Sequence, residues 1–176
     1  MILLPDGGTV IVGQYYRDMF ARRYDKDGNI RWSNKYPKIT TSEAYHVELK
    51  PNGNYLVSGT VGRRLWLSEL RALDGVPVLD FKIFETPSRI TLNDGFISQH
   101  PDGGYVVNGF YSGADSSFFG KYDRFYTYQW GSVINAGTIS KAYVNTDGTI
   151  IMTVYSFTDS IIVLLYISFF GFYSVF

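Results

Sequence analysis

The chain has 176 residues, in which 16 Lys and Arg balance 16 Asp and Glu, and it contains 18 Gly, 6 Pro and no Cys. The balanced charge, without a basic stripe interleaved with aromatic residues, argues against a nucleic-acid partner. Because cysteine is absent, disulfides and thiolate metal sites are excluded.

A short turn signature divides the chain into four repeats. It recurs as Pro5-Asp6-Gly7-Gly8, Pro51-Asn52-Gly53-Asn54, Pro101-Asp102-Gly103-Gly104 and Thr146-Asp147-Gly148-Thr149. Consecutive signatures start 46, 50 and 45 residues apart, a spacing typical of the four-stranded blades of β-propellers. Each signature is followed by an apolar, β-branched or aromatic run, and helical periodicity is nearly absent. The sequence therefore predicts an all-β fold.

The strands of the first two repeats can be placed between their turn residues. In the first repeat, Asp27-Gly28 joins predicted strands at 19–24 and 30–36. In the second repeat the predicted strands are 45–49, 55–61, 65–72 and 78–83. Asn-Gly and Asp-Gly suit the turns between them because both residues adopt positive φ at low cost. Each repeat is thus expected to form a four-stranded antiparallel meander.

These meanders are predicted to be the blades of one β-propeller domain, at approximately 1–38, 39–86, 87–135 and 136–176. Neighbouring blades would bury each other's apolar faces, and the 15 Tyr, 13 Phe and 3 Trp suit the gaps between them. Four blades could close a small ring, assemble with a second chain, or belong to a larger ring. The lack of a leader before the first turn favours a fragment of a longer protein.

Two tryptophans and the C-terminal run each allow a structural and a functional interpretation. Trp32 and Trp130 lie at matched places late in their repeats, which favours packing over a ligand-binding aromatic cage. The uncharged run 161–176 is shorter than a membrane helix and rich in β-branched residues, so it is expected to form the last two strands of blade 4. In that interpretation, 161–166 match 19–24. A membrane-associating tail and a sequence change at a truncation point are the alternatives.

The loops between the second and third strands are the candidate binding site. They are expected on the same rim as the loops that join successive blades, and loops on a rigid scaffold commonly carry binding residues. The candidates are Arg17, Asp18, Arg63, Arg64, Asp115 and Asp159. Because Asp is also a favoured turn residue that bonds its own backbone, these positions have a purely structural interpretation too.

Catalytic and metal motifs are not found in the sequence. The two histidines, His46 and His100, fall at different places in their repeats, and alternation places His46 beside Glu48. The segment 25–28 lacks the further oxygen ligands and the final Glu of a calcium loop. No zinc spacing, phosphate loop or nucleophile elbow is present, and no metal or cofactor is predicted.

Two stretches carry a resemblance to a known group. The run from Leu4 to Gly13, with Arg23-Tyr24-Asp25-Lys26-Asp27-Gly28-Asn29-Ile30-Arg31-Trp32, resembles the β-propeller repeats of bacterial secreted and surface proteins. The run from Leu70 to Phe81 is similar to the blades of quinoprotein-like propellers. The resemblance implies a binding scaffold that is secreted or displayed at a cell surface.

We therefore expect a non-catalytic propeller that binds a protein or glycan partner through its rim loops, without a cofactor. A propeller enzyme, either a hydrolase or a quinone-dependent oxidoreductase, is one alternative. A structural component of a filament or particle is another, since an open blade edge is a template for strand pairing.

Overall fold

The structure is a computed structural model that describes residues 1–37, 41–62, 64–84, 92–111, 116–135, 137–156, 162–168 and 171–175. These residues form sixteen β-strands and no helix. Within the described ranges, accordingly, no helix is long and apolar enough to cross a membrane. The predicted all-β class is confirmed.

The strands form four sheets of four, which we call blades 1 to 4. Blade 1 contains β1 (Ile2–Leu3), β2 (Thr9–Tyr15), β3 (Asp18–Tyr24) and β4 (Ile30–Tyr36). Blade 2 contains β5 (Ser42–Leu49), β6 (Tyr55–Val61), β7 (Arg64–Leu70) and β8 (Pro77–Ile83). Blade 3 contains β9 (Leu92–Gln99), β10 (Tyr105–Tyr111), β11 (Ser116–Tyr122) and β12 (Tyr128–Asn135). Blade 4 contains β13 (Gly137–Val144), β14 (Ile150–Ser156), β15 (Ile162–Ser168) and β16 (Gly171–Val175).

Every blade is a meander in which each strand pairs antiparallel with the next strand in the chain. This is the blade architecture of a β-propeller, and the predicted fold is confirmed. The chain divides into two compact units, residues 1–84 with blades 1 and 2 and residues 85–176 with blades 3 and 4. Within the first unit, β5 packs against β2 and β3, and within the second, β13 packs against β9, β10 and β11.

The C-terminal run forms strands of blade 4, as predicted, but its register differs by one residue. Ile162 pairs with Tyr155, and Ile167 pairs with Ile150. In blade 1, Tyr24 pairs with Thr9, the residue that matches Ile150 in the repeat. Tyr24 therefore corresponds to Ile167 and not to the predicted residue 166.

Glycine is required in the repeat signature by the backbone of the turn. In the first copy, the Gly7 amide donates to the Leu4 carbonyl at 2.9 Å, and the Gly8 amide donates to Asp6 Oδ1 at 2.9 Å. Gly7 has φ 81°, and the matching glycines have φ 85°, 85° and 84°: Gly53, Gly103 and Gly148. L side chains clash in this left-handed region, so glycine is favoured at the same place in all four copies.

A basic side chain on the third strand fastens this turn in blades 1 and 3. Arg23 Nη2 lies 2.5 Å from Asp6 Oδ2, and Lys121 Nζ lies 2.8 Å from Asp102 Oδ2 at the matching place. The Lys121 side chain is buried, so its ammonium group depends on the carboxylate for compensation. The bond ties the turn between the first two strands to the third strand.

In blade 2 the third strand carries an acidic residue at this place, and it contacts the uncharged Asn52 of the turn and Lys50 just before it. Glu69 occupies the place of Arg23 and accepts hydrogen bonds from Lys50 Nζ at 2.5 Å and Asn52 Nδ2 at 2.9 Å. Burial raises the pKa of Glu69, but the hydrogen bonds from Lys50, Asn54 and Asn52 outweigh it and hold the pKa below its usual value. The contact is therefore kept while its polarity is not.

The contact at Asp102 predicts a loss of stability in acid. Partial burial raises the pKa of Asp102, but hydrogen bonds from Lys121, Gly104 and His100 outweigh it and lower the pKa to about 2, from 3.8. Stability from the ionised carboxylate is thus fully present above pH 3.8 and is lost as the pH falls toward 2. In urea unfolding, we expect Asp102→Asn to be less stable than the parent at pH 7. That difference should shrink between pH 4 and 2, and a constant difference would contradict the assignment.

The outer strand of blade 1 also contacts blade 2, through hydrogen bonds to the turn between β7 and β8. Trp32 is buried and its Nε1 donates to the Ala72 carbonyl at 3.0 Å, while the Tyr36 hydroxyl donates to the Gly75 carbonyl at 2.7 Å. Burial raises the pKa of Tyr36 to about 12. The predicted packing role of Trp32 is confirmed. Trp130, the matching residue of blade 3, is 38% exposed and contacts Phe119.

Candidate functional site

The hairpins between second and third strands lie beside the connection from blade 1 to blade 2. The Ser42 amide donates to the Arg17 carbonyl at 2.9 Å, and the Ser42 hydroxyl accepts from the Met19 amide at 3.0 Å. The Gly62 amide donates to the Thr41 carbonyl at 3.1 Å. The predicted shared rim is therefore confirmed in this unit. We call residues 15–18, 41–43, 61–62 and 64, together with Lys35 of β4, the hairpin rim.

A tyrosine occupies a glycine position at the tip of the first hairpin. Tyr15 pairs with Asp18, which leaves Tyr16 and Arg17 as the two turn residues. Tyr16 has φ 59°. In the equivalent turn of blade 2 the same place is taken by Gly62, with φ 52°. A left-handed conformation costs a residue with a Cβ about 1 to 2 kcal/mol, so Tyr16 carries strain that glycine would avoid.

Packing does not offset that strain, because the Tyr16 side chain is 85% exposed. Its ring meets the Tyr15 ring edge to face, with centroids 4.7 Å apart and planes at 86°. Tyr15 is itself 48% exposed, and Lys35 Nζ lies 4.0 Å from its ring centroid. The hairpin tip thus presents two aromatic rings, one of them fixed by a cation–π contact from β4.

Tyr126 is a second tyrosine with positive φ, and its ring packs against a buried ring. Tyr126 has φ 68° and takes the place that Gly28 has in the matching turn of blade 1. Its ring stacks on the buried Tyr105, with centroids 5.3 Å apart and planes at 13°. The partner ring is buried there, whereas the Tyr15 ring that Tyr16 contacts is itself 48% exposed. Backbone strain of this kind clusters at functional sites, so Tyr16 is a candidate functional residue.

Three of the six predicted site residues fall within the described residues. Arg17 is exposed at the second turn position, and Asp18 is half-buried where β3 begins. Arg64 is exposed where β7 begins, on the neighbouring hairpin. The structure therefore brings Arg17, Asp18 and Arg64 to one rim. Arg63, Asp115 and Asp159 lie outside the described residues.

Tyr15, Tyr16 and Lys35 were not among the site residues predicted from the sequence. The first two were hidden because the chain has 15 Tyr, and nothing in composition separates a ring in solvent from a ring in the core. Aligning the hairpins by repeat would have found Tyr16, since Gly62 stands at its place. Lys35 joins the site only through the pairing of β3 with β4.

Each of the two histidines contacts a carboxylate. His46 Nε2 lies 3.8 Å from Glu48 Oε2, so the predicted proximity is confirmed. His100 is buried, with Nδ1 2.8 Å from Asp102 Oδ1 and Nε2 3.1 Å from the Gly148 carbonyl. Among the residues with described positions, no three His, Asp or Glu side chains are grouped to hold a metal ion.

Comparison with known proteins gives matches in structure alone. No protein-family model matches the sequence, and neither does any curated protein. A crystal structure of a protein from Lactobacillus plantarum aligns with 94% of this chain and 53% of its own, at 9% identity and a TM-score of 0.60. A candidate 6-phosphogluconolactonase from Bacteroides uniformis aligns with 98% of this chain and 54% of its own, at 10% identity and a TM-score of 0.60.

A third structure, named the Dos1 propeller, aligns with 89% of this chain and 63% of its own, at 9% identity and a TM-score of 0.43. The chain spans about half the length of the first two structures. At such identities these two similarities concern the fold alone. They agree with the propeller part of the resemblance drawn from the repeats.

Proposed function

We propose that this chain is a non-catalytic β-propeller module that binds a protein partner through the hairpin rim, with Tyr16 at the centre of the contact. The observation that carries the proposal is the strained and exposed conformation of Tyr16 at a place where the repeat offers glycine. The resemblance of the repeats adds a secreted or cell-surface setting to the proposal.

The shape of the hairpin favours a protein over a glycan. Tyr16 projects from a two-residue turn, whereas sites for small ligands are usually concave. Tyrosine and arginine, the residues at 16 and 17, are enriched among the residues that dominate protein–protein binding. A projecting ring of this kind fits a pocket on the surface of another protein.

An enzyme is the second candidate, because one of the similar structures bears the name of an enzyme. We rank it second since a general base needs a partner and a reachable substrate, and His100 is buried between a carboxylate and a carbonyl. Bound-ligand mass spectrometry on the purified protein tests it: a retained cofactor or substrate-like ligand would favour the enzyme.

Replacing Tyr16 with glycine is expected to stabilise the fold. Glycine adopts φ near 60° without strain, so the free energy of unfolding should rise by about 1 kcal/mol. Urea unfolding followed by tryptophan fluorescence measures the change. Tyr126→Gly is the matched control, and it should not stabilise, because it removes the ring that stacks on Tyr105. Destabilisation by Tyr16→Gly would show that the exposed ring supports the fold.

Photo-crosslinking tests binding, with Tyr16→Gly as one of the competitors. A photo-crosslinking amino acid placed at position 16 should capture a protein from the source cells, while the same probe at Leu73 should not. Leu73 is 80% exposed in the turn between β7 and β8, at the opposite end of the strands from the rim. Unlabelled parent protein should compete with the capture, and Tyr16→Gly should not. Equal competition by the two proteins would refute the proposed function.

A further inference from the structure

The charges of the chain are divided unequally between its two halves. Residues 1–84 carry twelve Lys and Arg against nine Asp and Glu, while residues 85–176 carry four against seven. The first half is therefore basic although the whole chain is neutral. An asymmetry of this kind points to a charged partner for one half.

The basic excess of the first half is concentrated at the hairpin rim. At the opposite end of the strands its charges pair with one another, as Arg23 with Asp6 and Arg71 with Asp74 do, at 2.5 and 2.6 Å. At the rim the exposed cationic residues are Arg17, Lys35 and Arg64. Lys35 reaches the Tyr15 ring from β4.

The acidic side chains of the rim cancel only part of this charge, because two carboxylates face three cations. Asp18 is half-buried opposite Tyr15, and the Glu43 carboxylate accepts a hydrogen bond from the Tyr45 hydroxyl. The rim therefore combines three exposed cations with two exposed tyrosine rings, a combination of charge and aromatic surface that is complementary to carboxylates next to apolar groups.

We infer that the segment of the partner that contacts Tyr16 is an acidic peptide, an inference that rests on the proposed function. The Arg17 guanidinium binds a carboxylate through charge-assisted hydrogen bonds, and the Lys35 ammonium adds a second positive charge beside Tyr15. The Tyr16 ring packs on the peptide's apolar atoms, and its hydroxyl group donates or accepts one hydrogen bond.

Nucleic acids and sulfated glycans present similar charge but fit the rim less well. Binding a phosphate backbone commonly uses on the order of six to ten cations along a track. Among its described residues the rim offers three cations, together with the carboxylates of Asp18 and Glu43. That pattern suits a few carboxylates at discrete places better than a continuous polyanion.

Selection from a random peptide library displayed on phage tests the inference with the full chain as bait. Peptides that bind the parent but not Tyr16→Gly should be enriched in Asp and Glu. With the double variant Arg17→Glu and Lys35→Glu as bait, the enrichment should move to Lys and Arg. Lys26→Glu, an exposed charge reversal in the turn between β3 and β4, is the matched control and should still select acidic peptides.

The strongest selected peptide then gives a quantitative test by fluorescence anisotropy. Replacing its Glu and Asp with Gln and Asn should weaken binding at least tenfold, and raising salt from 50 to 500 mM should weaken the original peptide similarly. A heparin fragment and a twelve-residue oligothymidine are the competing probes. Tighter Tyr16-dependent binding of either would overturn the acidic-peptide inference.

The outcomes separate this inference from the function beneath it. Peptides that depend on Tyr16 but lack acidic residues would overturn the inference and leave rim binding supported. Failure to select any Tyr16-dependent peptide would overturn it as well, and the cross-linking at position 16 would then decide whether the rim binds a folded surface. If no Tyr16-dependent peptide is selected and no protein is cross-linked at position 16, the proposed function itself is refuted.

Discussion

Gly59→Ala is expected to lower the free energy of unfolding by about 3 kcal/mol or more, because the new methyl group has no room. Gly59 lies in β6 and pairs with Ala44 of β5. A Cβ added there would lie 1.8 Å from the Glu43 carbonyl oxygen and 2.8 Å from Ala44 Cα. These are backbone atoms of the neighbouring strand, so only a shift of β5 could relieve the clash.

Gly13→Ala is the matched control, since Gly13 has the same place in the first repeat. A Cβ there would lie 2.9 Å from Cε1 of the Phe20 ring. The ring is half-buried and can rotate away, so we expect a loss below about 1 kcal/mol. Urea unfolding of the two variants, followed by the fluorescence of the buried Trp66, measures the difference. Equal losses would show that β5 adjusts as easily as the ring.

The strands beside tight turns could be predicted closely from the sequence, and the strands beside irregular pairing could not. Predicted strands 30–36 and 55–61 coincide with β4 and β6, because glycine and asparagine mark the turns around them. The first strand of blade 2 was predicted to begin at residue 45, but β5 begins at Ser42. The pairing shifts between Ala44 and His46, and this bulge breaks the alternation on which the prediction depended.

The end of β7 shows a similar limit. A strand was predicted over 65–72, but β7 ends at Leu70. The Arg71 amide donates to the Val76 carbonyl, and the Gly75 amide donates to the Arg71 carbonyl, so residues 71–76 form a wider turn than Asp-Gly alone suggests. The width matters because this turn provides the carbonyls that bind Trp32 and Tyr36. The predicted strand 65–72 is largely apolar to its end, so the sequence did not indicate where the strand stops and this wider turn begins.

The loops predicted to carry the site are the ones in which the strained Tyr16 lies, but the predicted residues did not include Tyr15, Tyr16 or Lys35. Topology alone places second-to-third-strand hairpins beside the connections between blades, which is why Arg17 and Asp18 were found. Tyr16 is strained because it occupies the turn position with φ 59°. Which residue occupies that position follows from the pairing of β2 with β3, which the structure provides. The charged loop residues could therefore be predicted from topology, whereas the strain at Tyr16 is indicated in the sequence only by the glycine at the matching place, Gly62.

Trp32→Ala is expected to lower the free energy of unfolding of the first unit by about 3 to 5 kcal/mol. The ring is buried where blades 1 and 2 meet, and a Cβ added to Gly75 would lie 2.8 Å from its Cε3 and Cζ3 atoms, which shows how closely the turn packs. The Tyr55 ring lies 6.2 Å from it on the other side, between centroids. Removing the indole leaves a cavity that neither contact can fill.

Trp130→Ala is the matched control, because Trp130 has the same place in blade 3 and is 38% exposed. Less apolar surface is lost there, so we expect a decrease of about 1 kcal/mol. Trp32→Phe isolates the hydrogen bond: it keeps an aromatic ring but removes the donor to the Ala72 carbonyl, which Arg23 Nη1 also contacts at 3.1 Å. That variant should lose about 1 kcal/mol. Urea unfolding measures these changes. Similar losses of unfolding free energy for Trp32→Ala and Trp130→Ala would show that burial of the Trp32 ring between blades 1 and 2 adds no extra stability.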